Sequence, residues 1–143
     1  MKLLVVLSKA YRAVSKCLEE DIRTHGLNPT EFAVLELLHS KGSRPIQAIG
    51  SNILISSSSI TYVVDKLASK GLLTRKPCQR DKRVAYAALT PAGEALFDKI
   101  FPRHALMIKG LFSHLTHEEK SDLIRLLRQT GLLAAGKQQN NKE

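Results

Sequence analysis

Between residues 57 and 83 the chain gathers hydroxyls and positive charges in an order that suits a polyanion better than a bond-breaking reaction. Ser57, Ser58, Ser59, Thr61 and Tyr62 stand at the start of a helical stretch, where short side chains can reach base edges in a major groove. Ser and Thr hydroxyls donate or accept, so they read bases permissively. The N–H groups of such a helix end also favour phosphate oxygens. Arg80, Asp81, Lys82 and Arg83 follow at the tip of a loop. Arg83 suits a minor groove, where narrow A·T tracts concentrate negative potential. Lys66, Lys76, Arg80, Lys82 and Arg44 are candidates for phosphate contacts, and Thr30 and Gln47, near helix starts, for neutral ones. A plainer reading stands beside each. The serines can be a polar loop and helix cap, Asp81 an ordinary turn former, and every cation simply solvated.

Other chemistries find little support. There is no G-x-S-x-G, phosphate-binding loop or H-E-x-x-H, so an enzyme is not expected. His114 and His117 are separated by two residues but straddle a helix start and have no Cys or carboxylate set nearby, so no metal and no cofactor is expected. Cys17 and Cys78 are far apart with no C-x-x-C spacing, which fits a reducing cytosol. The apolar run Leu3–Leu7 is too short for a secretory core, and no run is long enough to span a membrane.

The elements that must position these residues can be read from periodicity. Ile60, Val63, Val64 and Leu67 fall on one helical face, and the hydroxyls and Lys66 on the other. Gly71 stops that helix. Residues 72–76 and 84–89 then read as two strands of a hairpin, with 77–83 as a basic loop. Upstream, residues 2–25 form a helix with Leu4, Leu7, Tyr11, Val14, Leu18 and Ile22 on one side. Asn28, Pro29 and Glu31 form a capping box for the next helix, and Pro45 opens a short one to about Ser51. Asn52 to Ile55 link that helix to the Ser-rich one, which makes a helix-turn-helix pair. Thr90 and Pro91 start another helix, in which Pro102 is expected to cause a kink. Thr116 and Glu119 cap the last helix, which ends near Gly131, and a polar tail from Gly136 to Glu143 is expected to be disordered. The fold class is mainly α with a small β part (α+β): a winged helix-turn-helix flanked by terminal helices.

Charge sharpens the expectation. The net +9 is not spread evenly: residues 41–83 hold nine basic and two acidic side chains. A localised basic face predicts a polyanion partner. The terminal helices, about 2–25 and 91–133, are more apolar than a lobe of about 28–90 needs for cover. A second copy related by a two-fold axis is the simplest way to bury them.

The segments LNPTEFAVLELL, SSITYVVDKLASKGLLTRK, RDKR and ALTPAGEALF together resemble the MarR family of bacterial transcription regulators, over about Leu4 to Leu133. SITYVVDKL and its flanks resemble most the MhqR-like, quinone- and catechol-responsive branch of the family. The resemblance implies a triangular homodimer on palindromic double-stranded DNA, with a helix in the major groove and a wing in the minor groove. It implies that Asp81 orients Arg83. It also implies repression relieved by a small aromatic or quinone-like effector, or by thiol oxidation. Cys17 is then a sensing thiol or, alternatively, a small buried hydrophobe. Tyr11, Phe32, His39 and His104 are candidates for lining an effector pocket, with core packing as the alternative for each. The rival from another class is a winged helix used as a protein–protein module, or as a nonspecific architectural DNA binder.

Overall fold

Hydrophobic spacing and turn chemistry translate into nine elements in the computed structural model, which describes residues 1–53, 57–78, 81 and 83–140, the side chains of 57 and 135–140 aside. They are α1 (Lys2–Arg23), α2 (Pro29–Lys41), β1 (Arg44–Pro45), α3 (Ile46–Asn52), α4 (Ser57–Ser69), β2 (Leu73–Pro77), β3 (Ala85–Leu89), α5 (Pro91–Leu111) and α6 (His117–Asn140). The expected link residues Leu54 and Ile55, the following Ser56, and Gln79, Arg80 and Lys82 of the wing lie outside the described residues. The chain divides into two units, Met1–Leu106 and Met107–Glu143.

In the first unit, α4 buries Ile60, Val63, Val64 and Leu67, the face its spacing predicts. They join Phe32, Val34, Leu35 and Leu38 of α2, Ile46 and Ile49 of α3, and Leu73 and Ala87 of the sheet in one apolar core. The start of α2 is the expected capping box. Asn28 Oδ1 accepts the Glu31 N–H at 2.8 Å, and Glu31 Oε2 accepts the Asn28 N–H at 2.9 Å. α4 ends in a Schellman turn: the N–H groups of Gly71 and Leu72 donate to the carbonyls of Ala68 and Leu67, with Gly71 at φ 73°.

That turn leads into an antiparallel hairpin in which Leu73 faces Leu89 and Pro77 faces Ala85. The sheet has a third strand that sequence reading missed. Arg44 and Pro45 pair with Ala87 and Tyr86, giving the order β1-β3-β2. Two residues carry no alternation to detect, and a proline is admissible because β1 is an edge strand.

Thr90 joins the hairpin to α5. Its Oγ1 donates to the Gly71 carbonyl at 2.6 Å and accepts the Gly93 N–H at 3.1 Å. Gly93 lies so close to the end of α4 that a Cβ would stand 2.1 Å from the Leu72 carbonyl oxygen. This is why Leu89-Thr90 is followed by a glycine at position 93. α5 then continues across Pro102 to Leu111.

The second unit is built on α6. Its start is the expected capping box, with Glu119 Oε2 on the Thr116 N–H at 2.7 Å and Thr116 Oγ1 on the Glu119 N–H at 3.2 Å. The expected stop near Gly131 does not occur, because α6 runs on to Asn140. A single glycine costs a helix only about 1 kcal/mol relative to Ala, and Leu132, Leu133, Ala134 and Ala135 are strong helix formers that carry it through.

Gly93→Ala should lower stability by about 1–3 kcal/mol, because backbone must move to admit the methyl group. Urea denaturation checks this, and an unchanged midpoint would contradict the tight approach.

Candidate nucleic-acid interface

Because one face of α4 is buried, its other face is necessarily offered outward. Ser58 and Ser59 are exposed, Thr61 is half-buried, and the Tyr62 ring is 68% exposed. Ser57 begins the helix. The side chains expected to read a nucleic acid therefore share the solvent side of one helix.

The wing comes alongside this face. A groove of about 470 Å³ is lined by Gln47 of α3, Thr61 of α4, Arg75 of β2, and Arg83 to Tyr86 at the start of β3, with Pro45 and Ile46 at its edge. Gln47, Thr61 and Arg83, far apart in sequence, are brought together here. Asp81 orders the wing through the backbone: its Oδ1 accepts the Arg83 N–H at 2.9 Å, and its carbonyl accepts the Val84 N–H at 3.0 Å. This is an Asx-type turn, and it leaves the exposed Arg83 guanidinium with no hydrogen bond to a described residue. Lys76 and Arg44 are exposed on the sheet, and Thr30 is half-buried in the first turn of α2.

Lys66 is placed differently from the expectation. Its Nζ lies 3.1 Å from Glu31 Oε1, and Lys70 Nζ lies 3.0 Å from the same oxygen. Glu31 is buried. Burial by itself raises its carboxyl, but the Asn28 N–H and the ammonium groups of Lys70 and Lys66 outweigh it and hold the pKa below the ordinary 4.5. Sequence reading saw in Glu31 only a cap, because its lysine partners are 35 and 39 positions away. Arg75 was also missed. It forms an ion pair with Asp65 of α4, tying the wing strand to that helix.

The effector candidates separate. Phe32 and His104 are core residues: their rings stand 4.7 Å apart, and His104 Nδ1 is 2.7 Å from Asp21 Oδ2. Cys17 and Tyr11 are exposed on α1, so the alternative of Cys17 as a buried hydrophobe does not hold in the single chain. His39 lines a mostly apolar pocket of about 190 Å³ with Glu36, Ser40, Phe97, Asp98, Phe101 and Pro102. There His39 Nε2 meets Asp98 Oδ1 at 2.9 Å, and its ring lies 4.6 Å from that of Phe97.

The MarR family profile matches residues 27–85. The HTH-type transcriptional regulator MhqR of Bacillus subtilis (strain 168) is 50% identical over 142 residues, 99% of this chain and 97% of that protein. The chain belongs to the MarR family. It is thus a DNA-binding transcriptional regulator and not an enzyme. The rival reading as a protein–protein module gives way to this membership. Among solved MarR-family structures, AbsC from Streptomyces coelicolor superposes with a TM-score of 0.86 at 20% identity, covering 94% of this chain and 93% of its own. A mutant MarR from E. coli complexed with operator DNA gives 0.82 at 21% identity, covering 91% and 94%. At these identities the likeness shows the fold, a winged helix. No described helix is long and apolar enough to cross a membrane.

With the folded pKa of Glu31 below its unfolded value, the stabilisation from its charge is full above pH 4.5 and is lost as pH falls through the folded value. The stability gap between wild type and Glu31→Gln should therefore shrink from about pH 6 to about pH 3. Denaturation at several pH values checks this, and a constant gap would contradict it.

Proposed function

We propose that this MarR-family regulator is a homodimeric repressor of a palindromic operator, released by a small aromatic or quinone-like effector. In this reading α4 enters the major groove through Ser57, Ser58, Ser59, Thr61 and Tyr62. Arg83 at the wing enters the minor groove. Arg44, Lys76, Arg80 and Lys82, with Thr30 and Gln47, neutralise or bind flanking phosphates. The observation that carries it is the groove that Gln47, Thr61 and Arg83 share beside an outward α4 face, inside the most basic stretch of the chain. A duplex presents base edges to a helix in its major groove and phosphate rails to the cations beside it.

Two apolar faces support a dimer. α1 exposes Leu3, Leu4, Val5, Val6, Leu7 and Tyr11. α6 exposes Leu123, Ile124, Leu126, Leu127, Leu132 and Leu133, beside an almost wholly apolar groove of about 300 Å³ that includes Phe112 and Leu115. Exposed apolar surface on this scale calls for a partner, and a two-fold pairing of identical chains closes on itself. On this reading residues about 2–25 and 91–133 are dimerisation helices and about 28–90 the DNA-binding lobe. Two such lobes can address successive major grooves of one duplex.

The effector is placed in the His39 pocket. An apolar cavity of about 150 Å³ suffices to hold benzene, so the space suits a single ring. The His39–Asp98 pair can exchange hydrogen bonds with a ring hydroxyl or carbonyl. Cys17, exposed on α1, supplies the competing thiol route.

Arg83→Ala should weaken operator binding by roughly 5- to 150-fold and lower the slope of log affinity against log salt by about 1, with no change in unfolding midpoint. Anisotropy titrations of a selected duplex at several salt concentrations read both, and unchanged affinity would remove Arg83 from the contact set. For release, Phe101→Ala should raise the quinone concentration needed to free DNA by about 10-fold, while Cys17→Ser releases normally. The opposite pattern would move the trigger from the pocket to the thiol.

A further inference from the structure

We propose that Glu31 is a positioning residue for DNA binding: its buried carboxylate holds Lys66 and Lys70 against the first turn of α2, which fixes the seating of α4 and withholds two cations from the phosphate backbone. The proposal rests on α4 being the helix that enters the groove.

The apolar core seats α4 by close packing of Ile60, Val63, Val64 and Leu67, whose individual contacts are non-directional. The Glu31 cluster is directional. Lys66 in the last turn of α4 and Lys70, the residue just past its end, are four positions apart, and both ammonium groups converge on Oε1 at 3.1 and 3.0 Å. Oε2 is occupied by the Asn28 N–H, and Lys70 Nζ also donates to the Gly26 carbonyl at 3.2 Å. The carboxylate cannot swing away without breaking the α2 cap, so the two lysines are held to a fixed point. Rotating α4 would pull at least one of them off the oxygen. The outward hydroxyls of α4 ride on the same rigid helix, so their aim depends on this attachment.

The cluster also decides what the lysines do. Their side chains are 41% and 33% exposed, so each is within reach of solvent and, once freed, of a phosphate. Phosphate contacts are indifferent to sequence and raise affinity for every duplex alike. Holding two cations on Glu31 therefore lowers affinity for every duplex alike and flattens the salt dependence, while the ratio between selected and scrambled sequences depends on the aim of α4 that the same attachment fixes.

The test compares wild type, Glu31→Gln and Lys66→Gln on two duplexes, one selected for tight binding and one of scrambled sequence, across a salt series. A glutamine at 31 can still accept the Asn28 N–H and so preserves the cap, but it carries no charge to hold the lysines. Glu31→Gln should steepen the salt slope on the scrambled duplex by roughly 1–2 and reduce the selected-to-scrambled affinity ratio by about 10-fold or more. Lys66→Gln, with Lys70 still on Glu31, should leave the scrambled slope unchanged. A purely structural role for Glu31 would shift the unfolding midpoint and neither DNA readout. An unchanged slope and ratio in Glu31→Gln, or a slope reduced by about 1 in Lys66→Gln, would overturn the proposal while leaving the function intact. If Glu31→Gln does not fold, the Lys66→Gln slope decides alone. A wild-type protein that does not prefer the selected duplex would overturn both readings.

Discussion

The burial of one face of α4 is the constraint on which the rest depends. Ile60, Val64 and Leu67 are wholly out of solvent, and Val63 nearly so. A helix can present a defined set of polar groups to a partner only if its opposite side is anchored, because an unanchored short helix in water neither stays helical nor keeps an orientation. Every neighbouring element contributes to that anchor. α2 and α3 supply aliphatic side chains, and the sheet supplies Leu73 and Ala87. The Schellman turn at Gly71 then delivers the chain directly into the wing.

The wing is set in place by polar contacts at both ends. At its base, Thr90 bonds to the Gly71 carbonyl and caps α5, while the Leu72 carbonyl leaves room at position 93 only for glycine. Near its middle, Arg75 pairs with Asp65 of α4. At its tip, Asp81 closes a turn on the backbone of Arg83 and leaves the guanidinium outward. The resemblance implied that Asp81 orients Arg83. The contact present is to the main chain, so the orientation comes from the turn and not from pairing of the two side chains. Such an arrangement suits an arginine meant for a groove, since a carboxylate on the guanidinium would compete with the nucleic acid.

Much of this was legible in residue order because it is local. Asn28 and Glu31, Thr116 and Glu119, and Gly71 are signals in which cause and effect lie within a few residues, and all were read correctly. The apolar face of α4 was legible for the same reason. Misread features were those with a distant or weak cause. β1 is two residues long and exists only because β3 lies beside it. The continuation of α6 past Gly131 turned on a small propensity penalty that strong neighbours outweigh. For Phe32 and His104, read as pocket candidates with core packing as the alternative, the contacts with Phe97 and Asp21 select core packing.

The amino-acid sequence by itself determined the element types, the polar face of α4, the basic stretch around it and membership in a family of DNA-binding regulators. The first three follow from periodicity, caps and charge, which act over one or two turns of chain, and the last from the resemblance of whole segments to known proteins. Only the tertiary structure decided which cations are already engaged. Lys66 and Lys76 read alike as basic side chains in the same stretch. One is held on a buried carboxylate from α2 and the other is exposed on a strand. That distinction depends on which helix packs against which, and ion pairs between residues 35 or more positions apart leave no local trace in the order of residues.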